Sequence, residues 1–176
     1  MIDTKFVKYK NIRTKHLSKS LINNICNLKD SHWKFGLSSQ KKWFIRNNKK
    51  NDLHNLLFYK KELVGYTSLK KKKIYYGKNN KYYLLFDTLI INKKYRNLKL
   101  SHILMRHNNS EIKKSDYCSF LLCNKKLIKF YKKFLWKNVH YKIKIVSKNG
   151  NFQNKRLLSY NLNNKNFKKN VLIIKI

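Results

Sequence analysis

The side chains best placed for chemistry in this sequence lie between Asp87 and Tyr131. Asp87 is the only acid between Glu62 and Glu111, and it interrupts a run from Tyr82 to Ile91 that is otherwise apolar or β-branched apart from Thr88. Burial in such a strand raises a carboxyl pKa, which suits Asp87 to accept a proton or to hold an ammonium group. A satisfied structural acid is the alternative. Asn92 to Lys94 break the run, and Leu98, Leu100, Ile103 and Leu104 then recur at near-helical spacing. The amides between Arg96 and Ser101 therefore open a helix beside cationic side chains, an anion site in outline. Tyr131 falls on one helical stripe with Leu127, Ile128 and Leu135.

These residues need a scaffold, and the surrounding pattern supplies one. The run from Tyr82 to Ile91 is too short for a membrane span and long enough for a buried central strand. Cys118 to Cys123 reads as a second strand, so that strand, crossover helix and parallel strand form a βαβ unit whose ligands sit at the carboxyl ends of the strands. Upstream, Phe6, Val7 and Tyr9 suggest a short first strand. His16 to Leu28 reads as an amphipathic helix, Asp30 to Gly36 as a polar and aromatic loop, and the next stretch as a short helix carrying Trp43 and Phe44. Leu53 to Tyr59 and Leu63 to Leu69 form a hairpin around Lys60-Lys61-Glu62, with Gly65 marking a bulge or a close backbone approach. Lys70 to Lys81 reads as a loop or a strand extension. After Trp136, the alternation of Val139, Tyr141, Ile143 and Ile145 predicts a strand and Asn149-Gly150 a turn. Leu157 to Leu162 returns antiparallel, and Val171 to Ile176 is a last edge strand or a partner surface. No repeat or linker divides the chain, so residues 1–176 are expected to form a single domain.

The order strand, basic turn, helix, strand, helix resembles the core of the GNAT superfamily of acyl-CoA-dependent N-acyltransferases. The family's pyrophosphate loop follows V-x-P-x-Y-R-x-x-G-x-G/A, and this chain reads Ile91-Asn92-Lys93-Lys94-Tyr95-Arg96-Asn97-Leu98-Lys99-Leu100-Ser101. The family's next helix follows N-x-x-A-x-x-F-Y-E-K-x-G-F, and this chain reads Asn124-Lys125-Lys126-Leu127-Ile128-Lys129-Phe130-Tyr131-Lys132-Lys133-Phe134-Leu135-Trp136. Asn, Phe, Tyr, Lys and the closing aromatic fall in register. Lys99 and Ser101 stand where small residues are usual, and Leu135 replaces a glycine.

The resemblance implies an α+β (α/β three-layer) fold, with a mixed, mostly antiparallel central sheet of about six or seven strands flanked by helices. It implies acetyl transfer from acetyl-CoA, the acyl donor, to a primary amine of a small molecule or amino sugar, by direct attack in a ternary complex and with no metal. The turn formed by Arg96, Asn97, Leu98, Lys99, Leu100 and Ser101 would hold the pyrophosphate. Backbone groups of Leu89, Ile90 and Ile91 would pair with pantetheine, an amide donor there stabilising the tetrahedral oxyanion. Asn124 would bond the pantetheine amides, with a helix N-cap as its other role. Tyr131 would protonate the departing thiolate and Asp87 would manage the acceptor's proton. Trp33 and Phe35, with Trp43, are candidates for the acceptor wall, although Trp43 is expected to be a core residue.

Composition limits the alternatives. The net charge of +36 fits a nucleic-acid or polyanion-binding module on the same fold. Yet the chain has no alanine, no proline and four glycines, with an excess of Lys, Asn, Ile, Leu, Tyr and Phe, as a strongly AT-biased genome produces. The lysines are scattered through the chain, so solvated faces are the expectation for runs such as Lys70 to Lys73. A transferase that binds CoA without turnover is a further alternative, motivated by Lys99 and Leu135. Cys26, Cys118 and Cys123 show no metal or redox spacing. With no apolar leader in MIDTKFVKYK and no long apolar run, a cytoplasmic protein without a membrane span is expected.

Overall fold

The computed structural model describes residues 3–139, 143–146, 155–162 and 172–175. These residues form an α+β fold, a mostly antiparallel sheet with four α-helices, and contain nine strands rather than six or seven. The chain divides into two compact units, Met1–Lys70 with Asp87–Asn108, and Lys71–Phe86 with Asn109–Ile176.

In the first unit, helix α1 (Lys19–Trp33) starts where the Ser18 hydroxyl accepts from the Leu21 amide at 3.2 Å. Its apolar stripe buries Ile25, Cys26 and Leu28 against Phe44, Leu56, Tyr66 and Ile90. The helix runs on past Leu28, so Trp33 is its last residue and not part of a loop. Nothing stops it earlier: the chain turns only at Lys34, with φ of 43°, and Gly36, with φ of 83°. Helix α2 (Leu37–Asn47) follows at once. Strands β1 (Val7–Arg13), β2 (Leu53–Tyr59) and β3 (Glu62–Tyr76) are joined antiparallel in that order. Lys60 and Lys61 both adopt positive φ, 47° and 69°, the turn that matches the twist of a two-residue hairpin. Opposite Gly65 the register shifts at Leu57/Phe58, and a Cβ on Gly65 would lie 2.8 Å from Ile91 Cδ1. Bulge and close approach therefore coincide.

Strands β3 and β4 (Asn79–Ile91) are neighbours and pass through both units, as does helix α3 (Leu100–Lys114). The stretch after Lys70 is thus strand extension, turning at Gly77 with φ of 57°. In the second unit β4 pairs in parallel with β5 (Ser119–Asn124) through Leu84↔Ser119 and Leu85↔Phe120. Helix α4 (Ile128–Lys132) is a short segment after β5. After Trp136 come β6 (Lys137–Asn138), which ends before Val139, and β7 (Ile143–Val146), which holds Ile143 and Ile145 of the predicted alternation; they pair with β8 (Lys155–Tyr160) and β9 (Leu172–Lys175) respectively. Strand β9 also pairs with β3, so it is not an edge strand. Tyr141, Asn149-Gly150 and residues 163–170 lie outside the described residues. The core of this unit packs Ile74, Tyr83, Leu85, Phe120 and Ile174.

Candidate functional site

The first unit holds a pocket of about 690 Å³ between the carboxyl end of α1, helix α2 and the middle of β4. Trp33, Phe35, Trp43, Lys29, Gln40 and Asp87 line it, with Ser39, Lys42, Arg46 and Thr88. Helical spacing explains the convergence, because Lys29 and Trp33 are four residues apart on α1 and Gln40 and Trp43 three apart on α2. Three of the residues singled out from the sequence, Trp33, Phe35 and Asp87, thus share one cavity. Trp43 departs from expectation: it is 38% exposed and forms pocket wall rather than core.

Asp87 is not enclosed by apolar side chains. Its carboxylate lies 2.6 Å from Lys70 Nζ, and its side chain keeps 29% of its exposure. The ammonium it holds is the protein's own. Lys70 itself is buried, which corrects the expectation that the Lys70 to Lys73 run is a solvated face. The next residue, Thr88, has φ of 65°, a strained conformation for a β-branched side chain.

Electrostatics in the pocket are dominated by buried cations. Lys29 is 4% exposed, and its ammonium stands 3.5 Å from the centroid of the Trp43 ring and 5.9 Å from that of Trp33. Burial lowers its pKa to about 8, with the Asp87 carboxylate opposing and the Lys70 charge adding to the fall. On β2 in the same unit, His54 is fully buried and bridges Thr14 Oγ1 and the Tyr66 hydroxyl at 2.8 Å each. Burial brings its pKa down to about 4, helped by the charges of Lys70 and Lys29. The imidazole is therefore neutral at pH 7.

The predicted anion turn follows the carboxyl end of β4. Ile90 and Ile91 are buried and Leu89 is half-buried. Asn92 caps the turn from Lys93 to Tyr95 by accepting from the Lys94 amide at 3.1 Å, and Glu62 ties it down through Asn92 Nδ2 at 3.1 Å and the Tyr95 hydroxyl at 2.6 Å. Asn97 and Lys99 then adopt φ of 68° and 55°, and α3 begins directly at Leu100, followed by Ser101. The position filled by glycine in the family pattern thus keeps a left-handed backbone with lysine in it. Leu98 packs with Leu100, which is buried. Arg96 donates from its guanidinium to His32 Nδ1 at 3.0 Å, and His32 meets Trp33 edge to face with centroids 4.8 Å apart. A chain of contacts therefore joins the turn to the pocket wall.

The remaining candidates belong to the second unit. Asn124 accepts from the Lys126 amide at 3.2 Å, so its carboxamide oxygen caps its own turn. Tyr131 is 6% exposed among Phe86, Phe130 and Trp136, and burial pushes its phenol pKa up, with Cys123 adding to the rise. It keeps its proton across the physiological range. Trp136 is buried and donates from Nε1 to Asn109 Oδ1 at 3.1 Å, while Asn109 Nδ2 donates to the Phe134 carbonyl at 2.8 Å. Leu135 between them has φ of 65°, so the second replaced glycine also keeps its backbone.

Sequence reasoning missed Lys29, Gln40, Lys42, Arg46, Lys70 and His54. In so lysine-rich a chain each lysine looks like solvated surface. Periodicity carried the one usable signal: Ile22, Ile25, Cys26, Lys29 and Trp33 fall on a single helical stripe, where a lysine is out of place.

No family model matches the sequence, and no curated protein matches it. Solved structures do match. ElaA from Escherichia coli aligns with a TM-score of 0.66 at 16% identity, covering 87% of this chain and 98% of that one. The GNAT family N-acetyltransferase YhbS from Escherichia coli, solved with CoA, aligns with a TM-score of 0.67 at 11% identity, covering 96% and 89%. An aminoglycoside 6'-N-acetyltransferase complexed with coenzyme A aligns with a TM-score of 0.61 at 14% identity, covering 86% and 96%. Among the described residues no helix is long and apolar enough to cross a membrane. The fold of this chain is that of the GNAT N-acyltransferases.

Proposed function

We propose that the protein is an N-acetyltransferase that moves an acetyl group from acetyl-CoA to a primary amine. The observation that carries this reading is the turn Arg96 to Ser101, in which Asn97 and Lys99 hold left-handed φ and the chain passes straight into the amino end of α3. Successive amides in that conformation face a common point, and the helix terminus adds positive potential, which suits a diphosphate. Arg96 and Lys99 bring charge to the same turn.

In the transfer, the amine nitrogen attacks the thioester carbonyl carbon. A C–N bond forms, the C–S bond breaks, and the sulfur leaves as a thiolate that takes up a proton. Backbone groups of Leu89, Ile90 and Ile91 are assigned to the donor's pantetheine arm. The Nδ2 of Asn124 joins them, since its oxygen is engaged in the cap. Tyr131 is assigned as the acid that protonates the sulfur, a role consistent with a phenol that holds its proton. Asp87 lines the acceptor pocket and is assigned to receive the proton the amine loses, directly or through water. Trp33 and Phe35 form its wall.

Calorimetric titration with acetyl-CoA tests this reading. Arg96→Ala is expected to weaken binding about tenfold, the loss of about 1.4 kcal/mol that one charged contact supplies. Absence of any heat with the unaltered protein would overturn the assignment.

A further inference from the structure

Two polar groups of the pocket have no partner in the reaction described above. Lys29 is 4% exposed and lines the cavity, and among the described residues no carboxylate lies within 4.0 Å of its ammonium, Asp87 being paired with Lys70. Gln40 is 3% exposed and lines the same cavity, and its Nε2 has no hydrogen-bond partner among the described residues. A buried ammonium without a counter-charge and a buried amide donor without an acceptor are both costly to folding. Contact of the ammonium with the Trp43 ring offsets only part of the first. Both atoms are donors. An oxygen anion is the kind of ligand that would complement both.

We propose, building on the transferase reading, that the acceptor carries a carboxylate or phosphate besides its amine, and that Lys29 and Gln40 seat this anion. The abundance of lysine in the chain does not explain Lys29, because compositional bias places lysines on the surface at little cost but does not bury them. Charge at the cavity points the same way. With Lys70 and Asp87 neutralising each other, Lys29, Lys42 and Arg46 leave the lining strongly positive. A polycationic acceptor meets repulsion there, whereas an amine bearing an anion meets its complement and can still offer nitrogen to Asp87. Trp33 and Trp43 supply apolar wall for the body of the molecule. The acceptor class is therefore narrower than primary amines at large and disfavours polyamines and multiply charged aminoglycosides.

The test compares matched acceptors by thiol release from acetyl-CoA: phenylalanine against 2-phenylethylamine, glucosamine 6-phosphate against glucosamine, and spermidine as the polycation. In at least one pair the anionic member is expected to exceed its uncharged counterpart in kcat/KM by at least about thirtyfold. Lys29→Met and Gln40→Glu should each erase most of that margin while CoA affinity, measured by calorimetry, stays intact. Which pair responds separates carboxylate from phosphate. Equal use of both members in both pairs, or preference for spermidine, would overturn the proposal while leaving the transferase reading standing. If no amine releases thiol, titration of the unaltered protein with phenylacetate and with inorganic phosphate decides instead. Saturable binding of either that Lys29→Met abolishes supports the anion seat, and binding of neither rejects it.

Discussion

The two units differ in the polar side chains they bury. The first sinks Lys29, Lys70, His54, Gln40 and Asn55 to 4% exposure or less beside its hydrophobic clusters, whereas among the described residues the largest fully buried side chains of the second are Trp136, Tyr83 and Phe120. Asn55 makes the point in miniature, donating to Thr67 Oγ1 at 3.2 Å and Asn108 Oδ1 at 2.8 Å in a buried network. Polar groups kept dry cost stability unless hydrogen bonds or ion pairs offset their lost hydration. The first unit is therefore where buried polarity gathers around the candidate pocket, and the aromatic cluster around Trp136 is where packing dominates. Tyr131 is the exception, a candidate proton donor set inside the apolar unit.

That exception gives the largest expected effect. Tyr131→Phe should lower kcat by about 10²-fold or more, the range of general acid catalysis, with acetyl-CoA affinity and melting temperature nearly unchanged. A variant with full turnover would return Tyr131 to the packed cluster and remove the acid assignment. Next, Trp136→Ala should destabilise by about 3–5 kcal/mol in denaturant melts, since it empties a buried indole site and strips Asn109 of a donor. A loss below about 1 kcal/mol would mean that the apolar unit is less tightly built than its burial indicates.

The smallest effect concerns pH. His54 has a folded pKa of about 4 against an ordinary value of 6.5, so the unfolded chain binds the extra proton between those values. Its contribution to stability is complete above pH 6.5 and is lost as pH falls through 4, a decline of at most about 3 kcal/mol. Denaturant melts at pH 7, 5.5 and 4 measure it, and His54→Gln should flatten the slope. An unchanged slope would place the acid sensitivity elsewhere in the first unit.

Much of the scaffold was legible because it follows period. The strands β2, β4 and β5, the hairpin at Lys60 and Lys61, the bulge at Gly65 and the motif register from Asn124 to Trp136 all rest on local patterns. What stayed hidden depends on which face a residue turns inward. Lys29 and Lys70 look like the surface lysines around them, and their burial is decided by Trp43 and Asp87, far away in sequence. The pairing of β7 with β9 was equally invisible, because alternation fixes the strand period but not the partner.

The corners at Lys99 and Leu135 carry a consequence for how such a chain changes over time. Both residues hold a backbone shape for which glycine is the easy choice, and both point outward, Leu135 with 68% of its surface exposed. What selection can act on there is the bend of the main chain, not the identity of the substituent. A genome drifting away from glycine codons can therefore overwrite such corners with residues not branched at Cβ, for about 1 kcal/mol apiece. Motif searches keyed to glycine lose sight of the chain long before its architecture does.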